Sequence, residues 1–164
     1  LTIYADPPWL EVGGGLIKRG ADKHYSLMKT KDIMSFDIPK TENGHLYLWV
    51  TNRFLVDGLK VMEAWGYKYK TNLVWVKDRF GLGQYFRGQH ELCLFGTKGK
   101  VPYKIINGKR QQHPTVVFAK RDVHSRKPHE MYSIIEKVSY GPYIELFARN
   151  KREGWESYGN ELEV

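Results

Sequence analysis

The order of segments along this chain predicts an α/β fold of three layers built around one sheet. Three observations carry that prediction. Short apolar runs rich in β-branched and aromatic residues recur at Ile3–Ala5, His45–Val50, Tyr67–Val76, Glu91–Phe95, Thr115–Ala119 and Tyr143–Ala148. Between them lie helical periodicities or crossovers long enough to return the chain to a parallel neighbour. Asp6, Lys77 and Arg149 each stand just past the end of such a run, and in α/β sheets ligands lie outside the carboxyl ends of the strands.

The first run leaves its strand through Asp6-Pro7-Pro8-Trp9. Proline lacks an N–H and fixes φ, so two in succession stiffen the exit and leave carbonyl acceptors with no donor competing beside them. Asp6 adds an acceptor and Trp9 a flat apolar face. Together they suit a planar ring bearing an amino group, such as a nucleobase; a rigid strand exit with an Asp cap is the plainer alternative. The stretch from Leu10 to Lys23 is basic and holds Gly13-Gly14-Gly15, a spacing of neither the P-loop nor the dinucleotide fingerprint, and reads as a loop beside the site. Tyr25 follows, either a pocket wall or an ordinary half-buried aromatic.

Thr30 to Met34 reads as a short helix closed by Ile38-Pro39. Thr51-Asn52 offers caps for the next helix, on which Leu55, Leu59 and Met62, with Val56 beside them, form a core stripe that stops at Gly66. Phe80 to Gln89, with Tyr85, Phe86 and Arg87 at its centre, reads as a long functional loop. Gly96 to Lys100 turns out of the fourth run, and Tyr103 to His113 shows no clear period. Pro128 suits the first position of a helix carrying Met131, Ile134, Ile135 and Val138 at helical spacing, ended by Gly141. Trp155, Tyr158 and Gly159-Asn160 lie in the tail.

With 164 residues the chain fits a single domain, residues 1–164, and because it opens inside a strand, residues upstream are expected to have been lost. A net charge of +8 with 14% aromatic residues suits a polyanion with stackable bases, although a basic surface also serves solubility alone. A single cysteine, Cys93, excludes an internal disulfide and favours a reducing compartment. No run approaches the roughly 18 apolar residues of a membrane span, and no secretion signal opens the chain, so an intracellular protein is expected, cytoplasmic or, in a eukaryote, nuclear. His124 with His129, or His90 beside Glu91, lacks the spacing of a familiar zinc site, so no metal is expected.

The Asp6-Pro7-Pro8-Trp9 motif after Tyr4-Ala5 is followed, in order, by Leu46–Val50, Leu73–Lys77, His90–Leu94, Arg126-Lys127-Pro128, Glu145–Arg149 and Gly159-Asn160-Glu161. Over nearly the whole chain this series resembles the MT-A/METTL-type adenine methyltransferases that use S-adenosylmethionine. The resemblance implies a Rossmann-like methyltransferase fold, a mostly parallel sheet with one antiparallel strand. It implies methyl transfer to the N6 amine of adenine in nucleic acid, with DNA slightly favoured over RNA because the compact chain carries no appended domain. A homo- or heterodimer with a related subunit is compatible with it. The alternative is a non-catalytic nucleic-acid-binding subunit; methylation of a cytosine or glutamine amine fits the later motifs less well.

Adenine's exocyclic amine is a poor nucleophile because its lone pair is delocalised into the ring. Asp6 and the Pro7 carbonyl can accept its two hydrogens and favour a pyramidal nitrogen, with Pro8 stiffening the turn and Trp9 packing on the base. Glu145 can accept from ribose hydroxyls and Lys127 can pair with the methionine carboxylate beside a helix N-terminus. By resemblance Asp6, Lys127, Glu145, Arg149, Asn160 and Glu161 fall on cofactor-contacting positions. Tyr25, Trp49, Lys77 and Glu91 are assigned to the substrate side, and Lys18, Arg19 and Arg87 to two loops that hold nucleic acid. The chain departs from the family pattern in lacking the upstream Asp-containing segment and in placing Asn150-Lys151-Arg152 after the strand-end arginine, where relatives carry His-Asn.

Overall fold

The computed structural model describes residues 1–10, 27–122 and 126–158. Its strands are β1 (Thr2–Ala5), β2 (Gly44–Val50), β3 (Lys68–Val76), β4 (His90–Lys98), β5 (Ile105–Ile106), β6 (Lys109–Arg110), β7 (Val116–Phe118), β8 (Tyr143–Leu146) and β9 (Trp155–Tyr158). The helices are α1 (Thr30–Met34), α2 (Leu55–Ala64), entered through a 3-10 turn at Asn52–Phe54, and α3 (Glu130–Val138). Seven strands form one sheet in the order β7-β3-β4-β2-β1-β8-β9. β1 pairs in parallel with β2 and β8, β8 with β9, and β3 with β7, whereas β4 runs antiparallel to both β2 and β3. This is the expected Rossmann-like methyltransferase arrangement. The ends of β1, β2, β3 and β8 therefore meet at one edge, together with the beginning of β4. Among the described residues no helix is long and apolar enough to cross a membrane.

Period-two alternation in the central strands separates two kinds of core. Ile3, Ala5, Leu46, Leu48, Val50 and Leu94 face one way and pack on Ile33 of α1 and on Val61 and Met62 of α2. The residues between them, Tyr4, Tyr47, Trp49 and Cys93, face the other way, toward Met131, Ile134 and Ile135 of α3 and the ring of Trp155. A strand buried on both faces has no polar side to show, which is why β2 reads as a continuous apolar run. At the far edge of the sheet Ser139 Oγ joins the His45 ring at 2.6 Å and the Tyr47 hydroxyl at 2.7 Å, so these three buried polar groups satisfy one another.

Several local expectations are corrected. Val56 and Leu59 are not core: they are 61% and 37% exposed, and the buried face of α2 runs through Gly58, Val61 and Met62. The reason is Gly58, at which a Cβ would collide with Val50 Cγ1, so the backbone of the helix itself touches β2. Thr51 makes no side-chain cap; its hydroxyl is buried without a hydrogen-bond partner among the described residues. β4 continues through Gly96 to Lys98 instead of turning out at Gly96. The stretch from Tyr103 to His113 contains the hairpin β5–β6, turned by Asn107 and Gly108 at φ of 50° and 74°, and the tail adds the parallel strand β9.

Alanine normally favours a helix over glycine by about 1 kcal/mol. At Gly58 overpacking against β2 reverses that sign, and Gly58→Ala is expected to lower stability by roughly 1–3 kcal/mol, read as a drop in Tm on thermal unfolding.

Candidate active site

β1 lies between β2 and β8, so the residue that follows it emerges in the middle of the sheet's carboxyl edge. That residue is Asp6. The Pro-Pro exit behind it is tied down on both carbonyls: Pro7 accepts the Trp9 N–H at 2.9 Å in a tight turn, and Pro8 accepts the Met28 N–H at 2.8 Å. The Leu10 N–H returns to the Met28 carbonyl at 3.0 Å. The proline carbonyls are thus not free of competing donors. Pro8 serves the strap to Met28, and Pro7 has its second lone pair for an incoming amine.

Trp9 does not offer a flat face to a ligand. Its ring is buried, stacked on Phe54 at 5.3 Å between centroids and 18° between planes, and its indole N–H donates to the Trp49 carbonyl at 3.1 Å. A ring with one face on Phe54 inside the core is a strut that fixes the exit of Asp6. Trp49 is corrected in the same way. It is 1% exposed, donates its indole N–H to the Tyr4 hydroxyl at 2.7 Å, and lies beneath the Lys127 ammonium, which sits 5.7 Å from its ring. It supports a site cation and does not reach a substrate.

Above Trp49 a row of alternating charges crosses the edge. Lys77 Nζ lies 3.0 Å from Glu91 Oε2, Lys127 Nζ lies 3.4 Å from Glu91 Oε1, and the same Nζ lies 3.3 Å from Asp6 Oδ2. Lys127 therefore stands between two carboxylates, not on a solvated loop. The two carboxylates are driven apart in proton affinity. Burial raises the Asp6 carboxyl, the Lys127 charge opposes that rise without cancelling it, and the Glu91 charge adds to it. Burial also acts to raise Glu91, but Lys127 and Lys77 together outweigh it and hold Glu91 below the ordinary value. Glu91 stays ionised while Asp6 is the carboxylate that binds a proton more readily, an arrangement suited to proton exchange with a bound amine. Burial alone would lower Lys127, yet the two carboxylates hold its pKa up, so it remains charged.

Glu145 sits in β8, level with Tyr4 on one side and Ser157 of β9 on the other. The Tyr132 hydroxyl of α3 donates to it, 2.8 Å from both oxygens. Burial pushes this carboxyl up to about 7, Tyr132 pulling the other way and the Asp6 charge adding to the rise. The Ser157 hydroxyl is buried with no hydrogen-bond partner among the described residues. An unsatisfied hydroxyl level with a carboxyl fits the diol of a ribose, which needs both donors and acceptors. Arg149 stands three residues past β8, and its charge bears on Asp6. The structure brings Asp6, Lys77, Glu91, Lys127, Glu145 and Arg149 to one edge. Arg87 stands apart on the exposed loop between β3 and β4, its guanidinium 6.0 Å from the Phe80 ring. Tyr25, Lys18, Arg19, Asn160 and Glu161 lie outside the described residues. Tyr132, Ser157 and Phe54 were not anticipated. Tyr132 adjoins the apolar stripe of α3, and nothing in its spacing announced a carboxyl partner 13 residues on.

The MT-A70 family model matches residues 2–161. The chain belongs to the MT-A70 family. Relatives include a putative N(6)-adenosine-methyltransferase MT-A70-like protein of Medicago truncatula, 34% identical over 98% of this chain and 26% of the relative. The N(6)-adenosine-methyltransferase catalytic subunit METTL3 of Homo sapiens is 32% identical over 99% of this chain and 28% of its own length. Type II methyltransferase M.MunI of Mycoplasma sp is 32% identical over 98% of this chain and 77% of its own length. The chain thus spans about a quarter of the plant and animal relatives and about three quarters of M.MunI. MT-A70 N6-adenosine methyltransferases use S-adenosylmethionine as methyl donor.

Within this MT-A70 edge, removing the shared cation leaves Asp6 and Glu91 facing each other in a largely buried site. Lys127→Met is expected to cost roughly 3 kcal/mol near neutral pH, as for a broken buried pair. With Asp6 then raised by burial and by the Glu91 charge without the opposing ammonium, while Lys77 still pairs with Glu91, the variant's stability should recover as pH falls from 7 to 5. Tm measured against pH for both proteins checks this; parallel curves would count against the charge row.

Proposed function

We propose that this chain transfers a methyl group from S-adenosylmethionine to the N6 amine of adenine in nucleic acid, with DNA the favoured substrate. The observation that carries this reading is the unequal pair of carboxyls joined by Lys127, with the more basic member, Asp6, at the strand exit. When bound, the cofactor supplies an electrophilic methyl carried on a sulfonium. Asp6 accepts one hydrogen of the amine and the second lone pair of the Pro7 carbonyl accepts the other, so the nitrogen lone pair turns out of the ring plane. After transfer the nitrogen carries one proton too many, and Asp6 or water takes it. Lys127, held by Glu91, keeps Asp6 in place and ionised until then. Lys77 holds Glu91 from the far side, its ammonium 4.9 Å from the Trp75 ring. Glu145 and the Ser157 hydroxyl are the residues we assign to the cofactor ribose, with Arg149 beside them. No step needs a metal.

Similarity to type II methyltransferase M.MunI, 32% identical over 98% of this chain, supports DNA as a substrate.

Transfer from labelled cofactor to matched DNA and RNA oligonucleotides, with nucleoside analysis of the product, tests the reading. N6-methyladenine is expected, on DNA above RNA. Asp6→Ala is expected to lower the rate roughly 100- to 1,000-fold while cofactor binding persists. Near-normal turnover by a folded Asp6→Ala protein would sink the mechanism.

The Glu145 carboxyl supplies a second test. A carboxyl near pH 7 is half protonated at neutrality, and only its ionised form accepts from a ribose hydroxyl with both oxygens. Cofactor affinity should therefore rise as pH increases from about 6 to 8, and Glu145→Gln should remove that slope while weakening binding. Calorimetric titration at several pH values reads both, and an unchanged slope in the variant would remove Glu145 from the cofactor site.

A further inference from the structure

The segment joining β3 to β4 is an ordered arm that rises from the active-site edge. Its base is clamped by the Lys77–Glu91 ion pair, by the Lys77 N–H on the Gln89 carbonyl at 2.9 Å, and by Gln89 Nε2 on the Lys77 carbonyl at 3.1 Å. Higher up, the Gly81 N–H donates to the Gly88 carbonyl at 2.7 Å and the Gly88 N–H to the Leu82 carbonyl at 3.2 Å. At the tip, Tyr85 takes a positive φ of 59°, and a Cβ at Gly83 would collide with the Phe86 carbonyl. The backbone is therefore wound to hold its end residues outward. Those residues are aromatic: Tyr85 is fully exposed and Phe86 is 84% exposed. Two exposed rings side by side on a braced tip form an apolar surface suited to an occupant.

Charge and position indicate its chemistry. Arg79 and Arg87 lie on the two legs of the arm, and the Arg121 N–H donates to the Asp78 carboxylate at 2.9 Å, bringing a third guanidinium against the arm near Gly81. Rings flanked by guanidinium groups suit stacked bases between phosphates. The arm also starts and ends on two members of the charge row, so a polymer delivering a base to Asp6 passes beside it.

We propose that Tyr85 and Phe86 are a wedge that enters the base stack of a duplex next to the target adenine and occupies the gap left when that adenine turns out toward Asp6. Arg79 and Arg87 hold the flanking phosphates. This rests on the reading of the site as an adenine methyltransferase acting on nucleic acid. Its consequence is specific: the wedge assists extrusion, so it matters where the adenine is stacked and paired, and not where it is already free.

The test compares the parent chain with the Tyr85→Ala/Phe86→Ala double variant in single-turnover transfer to three DNA substrates. These are a fully paired duplex, a duplex with an abasic site opposite the target, and a single strand; a paired RNA duplex is run alongside. The fluorescence of 2-aminopurine at the target position reports extrusion without chemistry. The variant is expected to be roughly 10- to 100-fold slower on the paired duplex, in line with the stacking lost, with near-parent rates on the other two DNA substrates and a smaller 2-aminopurine signal. Equal loss on all three substrates, or no loss on the paired one, overturns the wedge. So does a fall in sedimentation coefficient of the variant accompanied by equal loss throughout, which assigns the rings to contact with a second copy of the chain. A parent chain that methylates no oligonucleotide refutes the underlying reading, whereas a parent that methylates all of them with an unchanged ratio in the variant refutes the wedge alone.

Discussion

The site depends on one ammonium shared by two carboxylates. Three ionisable groups brought together under partial burial would each prefer to lose its charge, and an isolated buried charge costs several kcal/mol. Lys127 removes that difficulty by standing 3.3 Å from Asp6 and 3.4 Å from Glu91. Lys77 then breaks the symmetry. It pairs with Glu91, so Glu91 has Lys77 in addition to the shared Lys127, and the two ammonium groups outweigh its burial. For Asp6 burial prevails over Lys127 and the charge of Arg149, so the higher basicity falls on the residue that emerges from the centre of the sheet. Tryptophans below complete the support: Trp49 underlies Lys127, and Trp75 underlies Lys77.

The same logic explains why the motif's aromatic is inside. A carboxylate at a strand exit is useful only if its direction is fixed, and the chain leaving β1 has no further strand to hold it. Trp9 supplies the hold by stacking on Phe54, while its N–H and the Pro8 carbonyl tie it to β2 and to Met28. Of the two prolines, one accepts a bond from within its own turn and the other from Met28, so the rigidity expected of the pair is present while their acceptor capacity is largely used.

Legibility in the sequence followed the physical length scale of each feature. The strands and the convergence of Asp6, Lys77 and Arg149 were readable because strand burial writes a periodic pattern and the carboxyl edge follows from topology, whereas the antiparallel direction of β4 came only with the family resemblance. The face of α2 was misread because a glycine carries no hydrophobic signal, yet Gly58 is where the helix backbone touches Val50. The hairpin β5–β6 was missed in a stretch without a clear period, although Asn107-Gly108 is a pair that favours the left-handed conformation of a two-residue turn. Trp9 and Trp49 were placed on ligands because a tryptophan near a site has the same sequence signature whether it faces the ligand or lies beneath the residue that does. The role of Lys127 as a bridge, and the pairing of Tyr132 with Glu145, are relations between distant segments that no local pattern records.

One topological feature accounts for both the charge row and the arm. In an all-parallel sheet only strand ends reach the binding edge, and each is followed by a crossover that carries the chain away. Because β4 runs antiparallel, its beginning lies at that edge instead, with Glu91 level with Trp75 at the end of β3. A carboxylate is thereby supplied from a strand start opposite a lysine from a strand end, which is the geometry the Lys77–Glu91 pair requires. The connection between those two strands has no crossover to make and is free to project as a hairpin from the site itself. An antiparallel strand in this position thus supplies Glu91 to the edge and, through the same turn of chain, roots the arm with its exposed rings and guanidinium groups on the Lys77–Glu91 pair.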